Sequence, residues 1–155
     1  MPIYYFDTSA VIKNYHPEHG TETVRQFVSE PGSHRVLSRL TITEVQRAFA
    51  RRARQKMITA DELKQLRGIL YKDLQERRFR IARVQEFHHH TAVRVLLKYW
   101  PQDRTPLLRT ADAIHLAVAL RLRNSTGLDY FVCADTDLCE VAEAEQLSVI
   151  NPGLS

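Results

Sequence analysis

Short apolar runs alternate with longer amphipathic stretches along this chain. The runs are rich in β-branched and aromatic residues and favour strands, whereas the longer stretches repeat apolar positions with helical spacing. Strands are predicted at residues 3–6, 35–38, 80–84, 130–133 and 148–150. Helices are predicted from residue 10, at 22–29, 41–56, from 60, at 86–99, from 111 and at 138–146. Helices between short strands indicate an α/β domain with a parallel sheet.

Several predicted helices carry start signals. Thr59 followed by Glu62 forms a capping-box pattern, and Thr41 followed by Glu44 has the same spacing. Thr110 is predicted to cap the next-to-last helix, which is apolar on nearly every side and is therefore expected to be central. The chain has 155 residues and no internal repeat, so one domain over residues 1–155 is expected.

Four acidic residues stand where predicted elements begin or end. Asp7 and Asp135 follow strands, and Glu44 and Asp112 lie in first turns of helices. Ligands of open parallel sheets bind beyond the carboxyl ends of the strands, so the four acids are expected to converge there. A carboxylate beside apolar sequence is costly to bury without a partner, and four carboxylates that converge repel one another. Divalent cations relieve that repulsion. This pattern predicts metal-dependent chemistry on a phosphate.

Each acid also has a structural interpretation. Glu44 could close its capping box, Asp7 could cap the first helix, and Asp135 and Asp137 could be turn or cap residues. Asp112 is harder to explain this way because its neighbours are apolar. The joint pattern carries more weight than any single acid, because coincidence would have to explain all four placements.

The charge balance adds a substrate class. The chain has 22 basic and 18 acidic residues, a net charge of +4 and a pI of about 9.3. If four acids share one pocket, 14 acids (18 − 4) remain against 22 basic residues, a surface excess of +8. A basic exterior around an acidic pocket favours nucleic acid, although pI alone does not separate this from a merely basic soluble protein. Arg109, Arg51 and Arg52 are the candidate phosphate contacts.

The histidines, the cysteines and the hydropathy add little to the functional prediction. His88, His89 and His90 are consecutive and point in different directions on a helix, so a helix start is favoured over a metal site. His115 is one turn after Asp112, and it either orients Asp112 or is a core histidine whose hydrogen bonds are satisfied within the fold. Two cysteines without CxxC spacing do not suggest a disulfide framework. No apolar run reaches the roughly 20 residues of a membrane span, no secretory signal is evident, and the cytoplasm is the expected compartment.

Five stretches resemble one known family. They are YFDTSA at residues 5–10, LTITEV at 40–45, LRTADAIHLA at 108–117, FVCAD at 131–135 and LSVINP at 147–152. Spread over the whole chain, they resemble a PIN domain of the VapC type, the ribonuclease toxins of toxin–antitoxin pairs. The resemblance implies a Rossmann-like PIN fold, with a central parallel sheet of short strands flanked by helices.

The resemblance also implies a function and assigns roles. Asp7, Glu44, Asp112 and Asp135 would bind Mg²⁺ or Mn²⁺, with Asp7 and Asp112 innermost. The enzyme would hydrolyse RNA to products with a 5′-phosphate and a 3′-hydroxyl, and would have an antitoxin partner and form a homodimer. Thr8 or Ser9 would support the site, and Asp137 would be an outer ligand or none. Cys133 departs from the small hydroxyl residue common in relatives, which puts a hydroxyl contribution there in question.

Two other function classes compete with this one. The first is a catalytically degenerate PIN-like module that binds nucleic acid or protein, against which the presence of all four acids argues. The second is a receiver-like domain with Asp7 as a phosphoryl acceptor, but a Lys near a later strand end and a phosphate-binding loop are not evident. Metal-dependent RNA degradation, abolished by chelator, would separate the nuclease from both.

Overall fold

The computed structural model describes residues 1–154; Ser155, the last residue of the predicted domain, lies outside them. The strands are β1 (Ile3–Phe6), β2 (His34–Ser38), β3 (Arg80–Ala82), β4 (Tyr130–Val132) and β5 (Val149–Ile150). The helices are α1 (Thr8–Tyr15), α2 (Thr21–Ser29), α3 (Arg39–Arg54), α4 (Ala60–Gln75), α5 (Glu86–Tyr99), α6 (Thr110–Ser125) and α7 (Thr136–Ala144), and a 3₁₀ turn follows at Pro152–Leu154.

All five strands form one parallel sheet in the order β3-β2-β1-β4-β5. The predicted α/β fold with a parallel sheet is confirmed. Strand β1 is central, with Tyr5 opposite Val36 of β2 and Phe131 of β4. The chain first builds the sheet to one side of β1 and then to the other, so the strand order reverses at β1. Such a reversal leaves a crevice at the carboxyl end of the central strand, where ligands of this sheet type bind.

The sheet separates two apolar layers. Tyr4 and Phe6 pack with residues of α1 to α4, whereas Tyr5 points to the other face and packs with residues of α5 to α7. Alternation of side chains along a strand explains this division. Helix α6 is buried along most of its length, as its apolar sequence predicts. The carboxyl end of β1 is therefore held rigidly between two packed layers.

The capping residues of two helices differ from prediction. Ser38 caps α3, because its Oγ accepts a hydrogen bond from the backbone of Leu40. The predicted box of Thr41 and Glu44 is therefore wrong, and Glu44 lies in the second turn. Thr110 is the first helical residue of α6 rather than its cap. The box of Thr59 and Glu62 at the start of α4 is confirmed.

Element ends shift by a few residues elsewhere. Strand β3 ends at Ala82 instead of residue 84, and β4 ends at Val132 instead of 133. Helix α7 begins at Thr136 rather than 138, because the carboxylate of Asp135 accepts from the backbone of Leu138 and caps it. These changes bring Asp135 closer to the helix start than the sequence pattern indicates.

The structure also bears on the predictions for the cysteines, for His88 and for membrane-spanning helices. Both cysteines are free and buried. His88 is buried and its Nδ1 accepts from the backbone of Gln85, so it closes the start of α5. Within residues 1–154, no helix has the length and hydropathy needed to cross a bilayer.

Candidate active site

One cavity of about 410 Å³ is lined by all four acids singled out from the sequence. Asp7 directly follows β1, and Asp135 follows β4 and caps α7. Glu44 lies in the second turn of α3, and Asp112 lies in the first turn of α6. Two strand ends and two helix starts thus meet beside the point where the strand order reverses. The parallel topology explains how acids so far apart in sequence reach one cavity.

Asp7 is the most deeply buried of these acids, with 2% of its surface exposed. Its Oδ1 accepts from the backbone of Ala10, 2.9 Å away, which caps α1. Burial raises the pKa of Asp7, against the opposing effects of His115 and the hydrogen bonds from Ser9, Ala10 and Cys133. No Lys or Arg among residues 1–154 forms an ion pair with it. A buried carboxylate of this kind favours a cation as its neighbour.

Ser9 and Cys133 hold Asp7 in place. Ser9 Oγ lies 2.8 Å from each oxygen of Asp7 and accepts a hydrogen bond from the backbone of Ala134. Cys133 Sγ donates to Asp7 Oδ2 over 3.3 Å. Burial raises the pKa of the Cys133 thiol, so it stays protonated and able to donate. A thiol at position 133 therefore contributes a hydrogen bond to the innermost carboxylate.

Glu44 is held by Thr8 and His115. Thr8 Oγ1 donates to Glu44 Oε1 over 2.7 Å, and His115 Nε2 lies 2.5 Å from the same oxygen. Because a carboxylate only accepts, the ring donates from Nε2, and in the neutral ring Nδ1 accepts from the hydroxyl of Tyr5 at 2.7 Å. Although burial acts to raise the pKa of Glu44, the bonds from His115 and Thr8 lower it overall. His115 therefore orients Glu44, not Asp112.

Arg109 joins the other two acids. Its Nε lies 3.3 Å from Asp112 Oδ2, and its Nη2 lies 3.5 Å from Asp135 Oδ2. Burial raises the pKa of Asp112 although Arg109 opposes that shift, and the two acids raise the pKa of Arg109. The Arg109 side chain is 81% exposed, so this bridge stands at the mouth of the cavity and is free to move.

The donor set fits a hard divalent cation. It consists of carboxylate and hydroxyl oxygens, which Mg²⁺ and Mn²⁺ prefer, and the innermost carboxylate, Asp7, forms no ion pair with a Lys or Arg of residues 1–154. In the described chain, no three His, Cys, Asp or Glu side chains are yet close enough together to hold one ion. Arg109 bridges Asp112 and Asp135, so it occupies carboxylate oxygens that a bound cation would use.

A basic rim surrounds the acids. Arg47, Arg51 and Arg109 line the cavity together with them. The sequence analysis missed Arg47, although its spacing of three from Glu44 and four from Arg51 on one helix face would have identified it. Arg52 turns away, with Nη2 3.9 Å from a carboxylate oxygen of Glu18.

Asp137 is the sequence candidate that contributes least. It is exposed in the first turn of α7 and is not part of the cavity wall. By contrast, Thr8 and Ser9 both line the cavity and bond to its acids.

Known proteins resemble the chain along nearly its whole length. The sequence profile of the PIN domain matches residues 4–144. Ribonuclease VapC35 of Mycobacterium tuberculosis is 28% identical over 150 residues, 96% of each protein. The crystal structure of M. tuberculosis VapC20, a Sarcin-Ricin loop cleaving toxin, has a TM-score of 0.66 at 16% identity, covering 96% of this chain and 99% of that one. A toxin–antitoxin complex from Klebsiella pneumoniae has a TM-score of 0.62 at 19% identity, covering 96% and 97%.

The profile match spans most of the sequence, and the solved structures share the parallel sheet and its flanking helices. The cavity with its four acids lies in the matched region. The chain belongs to the PIN domain family.

Proposed function

We propose that the protein is an endoribonuclease that depends on Mg²⁺ or Mn²⁺ and acts as the toxin of a toxin–antitoxin pair. The observation that carries this proposal is the single 410 Å³ cavity in which four acids are ringed by arginines. The resemblance to a protein named Ribonuclease VapC35 supports RNA as the substrate. Nothing in the cavity itself recognises a 2′-hydroxyl, so the choice of RNA over DNA depends on that relative.

Asp7 and Asp112 would hold the metal most closely, because burial raises the pKa of both carboxylates and a nearby cation would stabilise their charged form. Glu44 and Asp135 would complete the site. A bound divalent ion would act as a Lewis acid on the phosphate and make a water molecule a better nucleophile. Ser9 holds Asp7 in place, and Thr8 and His115 hold Glu44 in place, so these two carboxylates would present oriented oxygens to an ion.

The arginine rim would place the RNA backbone. Arg47 and Arg51 project from α3 into the cavity wall, and neither forms an ion pair within the described part of the chain. Arg109 stands at the mouth of the cavity. A guanidinium binds a phosphate with two parallel hydrogen bonds, which fixes the orientation of the phosphodiester above the acids.

An antitoxin protein and a second copy of the chain are the proposed partners. The Klebsiella pneumoniae structure is a toxin–antitoxin complex, which supports the first of these. Val93 and Leu97 of helix α5 and its C-cap residue Trp100 are exposed, which gives self-association an apolar surface. A small DNA-binding protein encoded next to this one would support the toxin assignment. A single PIN domain over residues 1–155 and a cytoplasmic location stay predictions.

Replacement of the innermost acids tests the function. If metal stabilisation supplies about 4 kcal/mol, Asp7→Asn should slow RNA cleavage roughly a thousandfold, and chelation by EDTA should abolish it. Asn keeps the oxygen that caps α1, so the fold should survive, as circular dichroism would verify. Asp137→Asn is the matched control, because it removes the same charge at an exposed position outside the cavity.

Three results of that experiment would decide between the candidates. Cleavage at the wild-type rate by an Asp7→Asn, Asp112→Asn double variant would refute the mechanism. RNA binding without cleavage at any Mg²⁺ or Mn²⁺ concentration would support the degenerate binding module instead. Cleavage that survives EDTA would exclude a metal-dependent reaction.

A further inference from the structure

A second cavity lies next to the acidic one on the same edge of the sheet. It has a volume of about 790 Å³ and opens beyond the carboxyl ends of β2 and β3. Arg39 directly follows β2, and Arg83 and Val84 directly follow β3. Leu40, Thr43, His89 and Ile114 contribute further to its wall. We call it the β2–β3 cavity.

The two cavities share two walls. Helix α3 gives Thr43 to the β2–β3 cavity and the next residue, Glu44, to the acidic cavity. Helix α6 gives Ile114 to the first and Asp112 to the second. A linear ligand whose phosphate lies over the acids would therefore enter the β2–β3 cavity if it continued along the sheet edge.

The chemistry of the β2–β3 cavity differs from that of its neighbour. Its wall contains no acid, and its basic side chains are Arg39, Arg83 and a histidine, His89. Both arginines are exposed, and neither forms an ion pair within residues 1–154. Two exposed arginines in a cavity whose wall carries no acid create a positive potential there, which favours an anionic ligand.

Apolar side chains form the rest of the wall. Leu40, Val84 and Ile114 are partly buried aliphatic residues at the cavity surface. A nucleobase is a flat, largely apolar body that unpaired RNA can extend away from its own stack, and arginine planes also stack on bases. A volume of 790 Å³ lies within the usual range of small-ligand pockets, roughly 300–1,000 Å³.

We propose that the β2–β3 cavity binds an unpaired nucleotide of the RNA substrate adjacent to the scissile phosphodiester. The base lies against Leu40, Val84 and Ile114, and Arg39 and Arg83 bind the flanking phosphates. This inference rests on the proposed ribonuclease function and adds to it a requirement for single-stranded RNA at the cleavage position. A base within an A-form duplex could not reach the aliphatic wall.

RNA binding by an inactive protein tests the subsite without any cleavage step. The parent carries Asp7→Asn and is kept in EDTA, and the probe is a short fluorescein-labelled unpaired RNA followed by anisotropy. Arg39→Ala and Arg83→Ala should each raise Kd about fivefold at 0.1 M salt and lower the salt slope by about 0.7, the value for one single-strand phosphate contact. A fully paired duplex of the same sequence should bind the parent more weakly than the single strand.

Arg80→Ala is the matched control, because Arg80 is an exposed arginine at the opposite end of the same strand. It removes the same charge, but Arg80 is not part of the cavity wall, so Arg80→Ala should leave the salt slope unchanged. A second measurement is photo-crosslinking with 4-thiouridine in the RNA. Peptide mass spectrometry should then find the label on the segment that carries Val84 and His89.

The outcomes separate the subsite from the function on which it rests. RNA binding by the parent with Kd values for Arg39→Ala and Arg83→Ala equal to that of Arg80→Ala would overturn the subsite alone. Failure of the parent and the wild type to bind RNA at all would overturn the ribonuclease proposal and the subsite with it. If both variants bind RNA normally but lose the antitoxin protein, the cavity docks a protein and the nucleotide assignment is wrong.

Discussion

Arg109 is expected to compete with the metal ion for the same carboxylates. Its side chain bridges Asp112 and Asp135, and that bridge must open before both acids can contact a cation. Substitution by alanine removes the competitor. It also costs no helix cap, because the Arg109 side chain makes no capping bond at the start of α6. We therefore predict that Arg109→Ala binds Mn²⁺ more tightly than the wild type and RNA more weakly.

The magnitude follows from the exposure and number of the contacts. Nε lies 3.3 Å from Asp112 and Nη2 3.5 Å from Asp135, and the side chain is 81% exposed. Exposed ion pairs contribute about 0.5 kcal/mol each, so breaking both costs about 1 kcal/mol. Arg109→Ala does not have to break these pairs, so its affinity for Mn²⁺ should be about fivefold higher than that of the wild type. On the RNA side, loss of one phosphate contact should lower the salt slope by about 0.7.

Calorimetric titration of Mn²⁺ into RNA-free protein measures the first effect, and anisotropy with RNA in EDTA measures the second. Arg51→Ala is the control for the Mn²⁺ titration. Arg51 stands on the same cavity wall, but neither Asp112 nor Asp135 lies within ion-pair distance of it. It reports how much metal affinity rises merely because one positive charge has left the cavity.

The difference in Mn²⁺ affinity between the two variants is decisive. Equal Mn²⁺ affinity for Arg109→Ala and Arg51→Ala would show that Arg109 acts only through its general charge. Weaker Mn²⁺ binding by Arg109→Ala would refute the competition outright and would indicate that Arg109 helps to arrange the acids.

Two further predictions concern the scaffold. The Glu145 carboxylate accepts hydrogen bonds from Lys98 at 2.5 Å and from Tyr99 at 3.1 Å. Burial acts to raise the pKa of Glu145, but these bonds lower that pKa overall. Glu145→Gln should therefore lower the free energy of unfolding by about 2 kcal/mol at neutral pH, and the difference from wild type should vanish in urea titrations as pH falls through that lowered pKa. Gly20→Ala should destabilise by about 1 kcal/mol or more, because φ is +88° and the new Cβ would lie 2.5 Å from the carbonyl oxygen of Pro152; a thermal unfolding curve unchanged from wild type would contradict this.

The sequence predicts the convergence of the four acids because topology alone requires it. Once short strands separated by helices indicate a parallel sheet, residues just after the strands share one edge. Asp7 and Asp135 obey this rule directly. Glu44 reaches the same edge from the second turn of α3, which directly follows strand β2. Asp112 reaches it from the first turn of α6, which follows a loop.

Local signals were less decisive where two residues compete for one role. Ser38 and Thr41 are both competent caps, and Ser38 takes the role because β2 passes into α3 without an intervening loop. Helical spacing pairs His115 with Asp112, but its ring turns inward to Tyr5 and Glu44. Which of two neighbours a buried histidine contacts depends on tertiary packing, and no spacing rule contains that information.

The structural and functional interpretations of an acid also need not exclude each other. Asp135 uses Oδ1 to accept from the backbone of Leu138 and cap α7, while its Oδ2 faces Arg109 in the cavity. Asp7 likewise caps α1 through Oδ1 and keeps Oδ2 beside Cys133. A carboxylate has two oxygens and about four acceptor positions, so a cap occupies only part of it. The capping bond fixes the side-chain orientation in advance, which makes the second oxygen a better-placed ligand than that of an unconstrained acid.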